Sequence, residues 1–326
     1  MLVRADSQGF EGVPPPSPGP FPGWARPVHA PETEAEAAFL AGAALARLDA
    51  IVRENLPWAG VLRQRLALSA ATASVARAGR AENEAALRDA FHLRRGGGDP
   101  GPAGKVLLAW RELGQRPTRQ WRSSLVAAAE FLGIAHDEAL QEALEAAAAG
   151  VASARPAPFA AARVFAAAHS LSLGARPSLR GRGGEEALAA WLADAVLAER
   201  LNWPFALPML AAQLRSPAAR PALSDLAGGA GTTRVLFAYA QAAAQACDRS
   251  AELGRRAQKL FQAAPKLRAK GAGAALRALL DDDSLSATTP IGGLSERGAR
   301  RLFDRLVALN SVRELTGRAT FRLYGL

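Results

Sequence analysis

Apolar residues recur along most of this chain at the 3.6-residue period of helices, and only the last fifteen or so positions change to strict alternation. Helical pattern starts at Thr33, with Glu34 and Glu36 where a first turn favours negative charge, and continues through Phe39, Ala43, Leu45, Leu48 and Val52. Pro57 restarts the chain, because proline suits a first helical turn, and Leu62, Leu66 and Ala70 carry the next stripe. Further helices are predicted over 82–93, 103–113, 120–132, 137–149, 157–172, 185–201, 204–214, 233–248, 250–263 and 274–280. Gly/Pro-bearing linkers such as Gly96–Pro100 separate most of them. Residues 176–184 and 216–231 are expected to be exposed loops. Five tryptophans, Trp58, Trp110, Trp121, Trp191 and Trp203, fall inside the helical part. In so small-residue a bundle their large rings are expected to be packing material.

The end of the chain reads differently. Ser295 can cap a helix to Leu309 whose apolar stripe is Ala299, Leu302, Phe303, Leu306 and Leu309. Arg297, Arg301 and Arg305 stand at i, i+4 and i+8 on another face, and Arg300 lies beside them near the N-terminal end. Val312–Leu315 and Phe321–Tyr324 alternate apolar with polar, which predicts two strands. Thr316-Gly317-Arg318-Ala319 lies between them, with Gly317 able to turn and Arg318 at the tip. Helix, basic face, hairpin and basic tip are the order of a winged helix. The expected fold is therefore mainly α: a flexible Pro/Gly-rich arm (1–31, with Phe21 and Trp24 resting on the body), a multi-helix bundle body (32–248), and a C-terminal winged helix-turn-helix with a small β-hairpin wing (249–326).

Charge sharpens this picture. The net charge is +10, and residues 249–326 hold 15 Lys and Arg against 7 Asp and Glu, a surplus of +8. The remaining 25 basic and 23 acidic residues leave only +2 for the rest of the chain. A general enrichment in arginine explains the total but not this segregation. A polyanionic partner for the last quarter, duplex DNA, is the electrostatic inference. The expected contacts are Ser295, Arg297, Arg300, Arg301, Arg305, Arg318 and Arg322, joined by Lys266, Arg268 and Lys270 in the basic segment ahead of the 274–280 helix.

Other chemistry is thin. Cys247 is the lone cysteine, so neither an internal disulfide nor a cysteine zinc site can form, which fits a reducing cytoplasm. The apolar stretch 159–168 is interrupted by Arg163 and falls short of the roughly 20 residues a bilayer span requires. His29, His92, His136 and His169 lack metal-ligand spacing, and no cofactor motif occurs. One polar cluster stands out: Glu84, Arg88, Asp89 and His92 on one helix, with Asp99 in the loop that follows. A carboxylate orienting an imidazole can serve a general base, but no nucleophile lies nearby in sequence, and a structural polar network is the plainer reading. Three functions thus stand in order: a non-enzymatic DNA-binding or DNA-associated accessory protein whose helical body supplies self-association or protein-partner contacts, a helical interaction or scaffold protein whose winged helix binds protein, and an enzyme using the Asp89/His92 cluster.

Two resemblances accompany these readings. The final segment is similar to winged-helix tails of Fic-type bacterial proteins, but the Fic catalytic His-Pro-Phe-x-x-Gly-Asn-Gly-Arg pattern is absent, so no catalysis is implied. Over nearly all of the chain after the arm, the sequence resembles an uncharacterised alphaproteobacterial domain-of-unknown-function family, often plasmid-borne. Residues 83–93, Gly98-Asp99-Pro100-Gly101-Pro102-Ala103-Gly104, Trp191-Leu192-Ala193-Asp194, 264–271 and 295–326 carry that likeness. It implies an architecture and no established activity, catalytic residue or cofactor.

Overall fold

The computed structural model describes residues 15–93, 98–135, 138–150, 156–174, 183–214, 229–267, 269, 271–318 and 321–326. Most of the two expected loops lies outside the described residues. The chain is mainly helical, with a small three-stranded antiparallel sheet near its C-terminus. It divides into two compact units, one built from residues 21–54 and 65–247, the other from 1–20, 55–64 and 248–326.

The larger unit contains α1 (Glu34–Arg53), most of α2 (Ala59–Arg77), α3 (Glu84–His92), α4 (Gly101–Gln115), α5 (Trp121–Phe131), α6 (Glu138–Gly150), α7 (Ala157–Gly174), α8 (Gly184–Arg200), the single turn α9 (Leu210–Gln213) and the first half of α10 (Gly229–Ala263). Thr33 caps α1 by accepting the Glu36 N–H at 3.2 Å, as its position before the two glutamates predicts. The axis of the unit is α8. Every residue from Ala187 to Ala198 is buried, the pattern of a helix enclosed on all sides, and α7 packs along it. Alanine at six of these twelve positions lets neighbouring backbones approach closely.

The tryptophans pack this interior as their sequence positions predict. Trp110 and Trp191 are fully buried, and Trp121 and Trp203 nearly so. Each indole N–H has an acceptor: Trp110 donates to Ser74 Oγ (3.1 Å), Trp121 to Glu199 Oε2 (3.1 Å), Trp191 to the Ala109 carbonyl (3.0 Å) and Trp203 to Asp49 Oδ1 (2.8 Å). Burying so large a ring without satisfying its one donor would forfeit part of the gain. Trp24, expected against the body, is instead exposed, whereas Phe21 is buried.

Two helical expectations are corrected. The stretch 204–214 is helical only at Leu210–Gln213. Pro204 and Pro208 break the earlier part. There the Pro204 carbonyl accepts the Thr118 N–H at 2.9 Å, and Phe205 bridges to Pro117. The helices predicted over 233–248 and 250–263 are one continuous 35-residue helix, α10, which starts inside the expected 216–231 loop. Ser250, where the second of those helices was expected to start, is fully buried on that helix and accepts the Trp58 N–H at 3.3 Å.

The smaller unit combines the second half of α10, the N-terminal turns of α2, α11 (Ala272–Asp281), β1 (Leu285–Ser286), α12 (Glu296–Ala308), β2 (Arg313–Glu314) and β3 (Leu323–Gly325). Within it the proline-rich segment is tied down at Ser17, whose hydroxyl donates to the Ala251 carbonyl of α10 at 2.9 Å. The sheet runs β1-β3-β2, with Leu285 opposite Tyr324 and Glu314 opposite the same tyrosine on the other side. The predicted hairpin is thus present, flanked by a third strand, β1, that the sequence does not announce. Gly271, at the N-terminus of α11, has φ +92°, and a Cβ there would lie 2.8 Å from the Gly292 carbonyl. Glycine is needed because the turn before α12 packs directly on the start of α11.

Candidate nucleic-acid interface

Why α12 forms where it does is plain from its ends. The Ser295 hydroxyl accepts the Gly298 N–H at 3.2 Å, and Glu296 complements the positive end of the helix dipole. Ala299, Leu302, Phe303 and Leu306 are buried, while Leu309, the C-cap, is only half-buried. The Phe303 ring stacks on Tyr324 of β3, with centroids 4.6 Å apart and planes 12° from parallel. That contact fixes the rotation of α12 against the sheet, and hence which residues face outward.

Arg297, Arg301 and Arg305 are all exposed, and none forms an ion pair among the described residues. Their i, i+4, i+8 spacing puts three guanidinium groups in one row. Arg300, on a neighbouring face, pairs with Glu296 one turn earlier. Arg322, just ahead of β3, lies 3.7 Å from Asp304 of α12. The structure therefore brings Arg300 and Arg322 to one side of the helix, apart from the open row.

The turn between β2 and β3 is organised by one carboxylate. Glu314 accepts the Thr316 hydroxyl and the Gly317 N–H, both at 2.8 Å. These donors, the Thr316 hydroxyl foremost and assisted by the charge of Arg322, hold the Glu314 carboxyl below its ordinary range. Thr316 in turn accepts the Leu323 N–H at 3.4 Å across the hairpin. Gly317 has φ +63°, which glycine adopts without penalty, and Arg318 follows it, exposed. Replacing Glu314 with Ala is expected to speed amide exchange at Gly317 while leaving α12 protected. Unchanged exchange there would mean that the carboxylate does not hold the turn.

The remaining basic candidates are less well placed. Lys266 is exposed at the end of a short 3-10 helix (Ala264–Lys266) that follows α10. Arg268 and Lys270 lie outside the described residues. The predicted polar cluster on α3 is knitted into its surroundings. Arg88 is buried and lies 3.5 Å from Glu84, and the His92 ring stands edge-on to Phe91 at 5.1 Å. The Arg111 guanidinium covers Phe91 at 4.2 Å. Asp99, expected near His92, uses its carboxylate on the start of α4, accepting the Gly101 N–H at 2.9 Å and pairing with Lys105 at 3.0 Å. Asp89 and His92 are each half-buried on α3.

The smaller unit also holds a feature that has no signature in the sequence. A cleft of about 490 Å³ opens between α12 and the sheet, lined by Arg300 and Asp304 on one wall and by Phe321, Arg322 and Tyr324 on the other. Ser286 and Thr288, in and just after β1, close its third side, their hydroxyls 2.8 Å apart. No spacing in the sequence could have announced it, because its walls come from three separate segments.

Comparison with known proteins agrees with the whole-chain resemblance. A family described as protein of unknown function (DUF1403) matches residues 16–326, and the chain belongs to that family. No curated protein matches the chain.

Proposed function

We propose that this member of an uncharacterised family is a non-enzymatic, duplex-DNA-binding accessory protein, acting through a C-terminal winged helix. The element order α11, β1, α12, β2, β3 and the sheet order β1-β3-β2 support a winged-helix reading, in which α12 serves as the recognition helix and the β2–β3 connection as the wing. The likeness departs at residues 287–294, where turns stand in place of the second helix of a helix-turn-helix. The observation that carries the reading is the open arginine row on α12, immediately ahead of the hairpin. Arginine in such a row can bond a guanine edge bidentately or clamp a phosphate. The surplus of +8 in residues 249–326 supports the same partner.

The test is a titration of the full-length protein against duplex DNA over a salt series. Affinity should fall steeply with salt, since phosphate contacts release condensed counterions. Arg318→Ala should weaken binding to all sequences about equally and reduce the magnitude of the log–log salt slope by about one. Binding that is insensitive to salt would overturn the proposal.

A further inference from the structure

The cleft beside α12 carries a chemistry distinct from the arginine row. Two guanidinium groups, Arg300 and Arg322, reach it from opposite walls, and two hydroxyls, Ser286 and Thr288, lie on the third side. Converging guanidinium and hydroxyl donors match the oxygens of a phosphate group. The same cleft exposes part of the Phe321 ring, and a flat apolar surface next to a phosphate site suits a nucleobase, whose faces stack on aromatic rings. A volume of about 490 Å³ is within the range of small-molecule sites and accommodates one nucleotide unit.

An anion here competes with two carboxylates: Glu296, which pairs with Arg300 from outside the cleft, and, within its lining, Asp304. Its separation of 3.7 Å from Arg322, with both side chains about half exposed or more (61% and 48%), makes it a loose counter-ion. A doubly charged phosphate can take its place at Arg322, whereas a neutral ligand gains nothing by doing so.

We propose that this cleft binds a nucleotide unit, its phosphate between Arg300, Arg322 and the Ser286–Thr288 hydroxyls and its base against Phe321. The inference rests on the nucleic-acid reading only for one source of the nucleotide, a unit of a bound strand. The other source is a free mononucleotide.

Isothermal titration of the full-length protein with adenosine 5′-monophosphate, adenosine and inorganic phosphate at low salt tests it. The monophosphate should bind more tightly than either of its parts. Arg322→Ala and Arg300→Ala should each weaken it by about tenfold or more, the usual range for a charge-assisted hydrogen bond. Asp304→Asn should tighten it several-fold, and because that change is conservative and exposed it keeps the test free of folding defects. Phe321→Ala should abolish the advantage of the monophosphate over inorganic phosphate. Adding duplex DNA identifies the source: displacement of the monophosphate assigns the cleft to a strand nucleotide, and undisturbed binding assigns it to a free one. Monophosphate binding no tighter than that of adenosine, or equal in wild type, Asp304→Asn and the arginine variants, overturns the proposal. The DNA reading fails separately, through Arg297 and Arg301, which do not line the cleft.

Discussion

Asp194→Ala should destabilise the protein more than any exposed substitution. Asp194 is the one charged residue in the buried run Ala187–Ala198 of α8, and it caps a second helix from the side. Its Oδ2 accepts the Met209 N–H at 2.7 Å and the Leu210 N–H at 3.1 Å, the exposed donors at the start of α9. Both residues are buried, so alanine would leave two donors unsatisfied, at about 1–3 kcal/mol each. Loss of the buried carboxyl offsets part of that, and a net cost of about 2–4 kcal/mol is expected in urea unfolding at pH 7. Asp194→Asn keeps an acceptor where Oδ2 lies and should cost much less.

The same carboxyl predicts a pH dependence. Burial pushes Asp194 from its ordinary 3.8 up to about 7, against the opposing pull of the Met209 and Leu210 N–H groups. Between those values the folded protein holds a proton that the unfolded chain has released. Stability from this group is therefore fully present below pH 3.8 and lost as the pH rises through about 7. Tyr239, buried beside it, is pushed well above its ordinary value by burial and by the Asp194 charge, so it stays neutral over this window. The difference in stability between wild type and Asp194→Asn should narrow or reverse against wild type from pH 4 to pH 8. A difference that does not vary with pH would contradict the assignment.

Much of the architecture was legible because local physics sets it. The Thr33 cap with Glu34 and Glu36, and the Ser295 cap with Glu296, mark their helix starts by residue type alone. The alternation at 312–315 and 321–324 marks the hairpin. What was illegible depends on partners distant in sequence. β1 is two residues long, too short to alternate, and exists because Leu285 and Ser286 pair with β3. The continuity of α10 through Arg249 was not legible either, since the two predicted helices 233–248 and 250–263 are one, with Ser250 buried against Trp58. Asp194 looked like part of a family signature. Its signal, one carboxylate in a run of apolar and small residues, becomes meaningful only with the backbone donors it caps fifteen residues on. On the arginine helix the row was readable from spacing, whereas the engagement of Arg300 and Arg322 with the cleft required the fold.

The largest functional effect is expected from Arg297 and Arg301 together. Both are exposed, neither pairs among the described residues, and neither touches the buried stripe of α12. Alanine preserves helix propensity, so the double variant should fold as wild type does. If α12 enters a major groove, each lost bidentate base contact costs about 1–3 kcal/mol, and discrimination between sequences falls with it.

The decisive measurement is a titration of wild type and the Arg297→Ala/Arg301→Ala variant against a preferred duplex and a scrambled one of equal length, at fixed salt, with circular dichroism confirming the fold of both. The variant should bind the preferred duplex at least tenfold more weakly, as about 1.4 kcal/mol of lost contact requires, and prefer it less over the scrambled one. Superimposable curves from two folded proteins would contradict the DNA reading and leave the α12 face as a protein-contact surface.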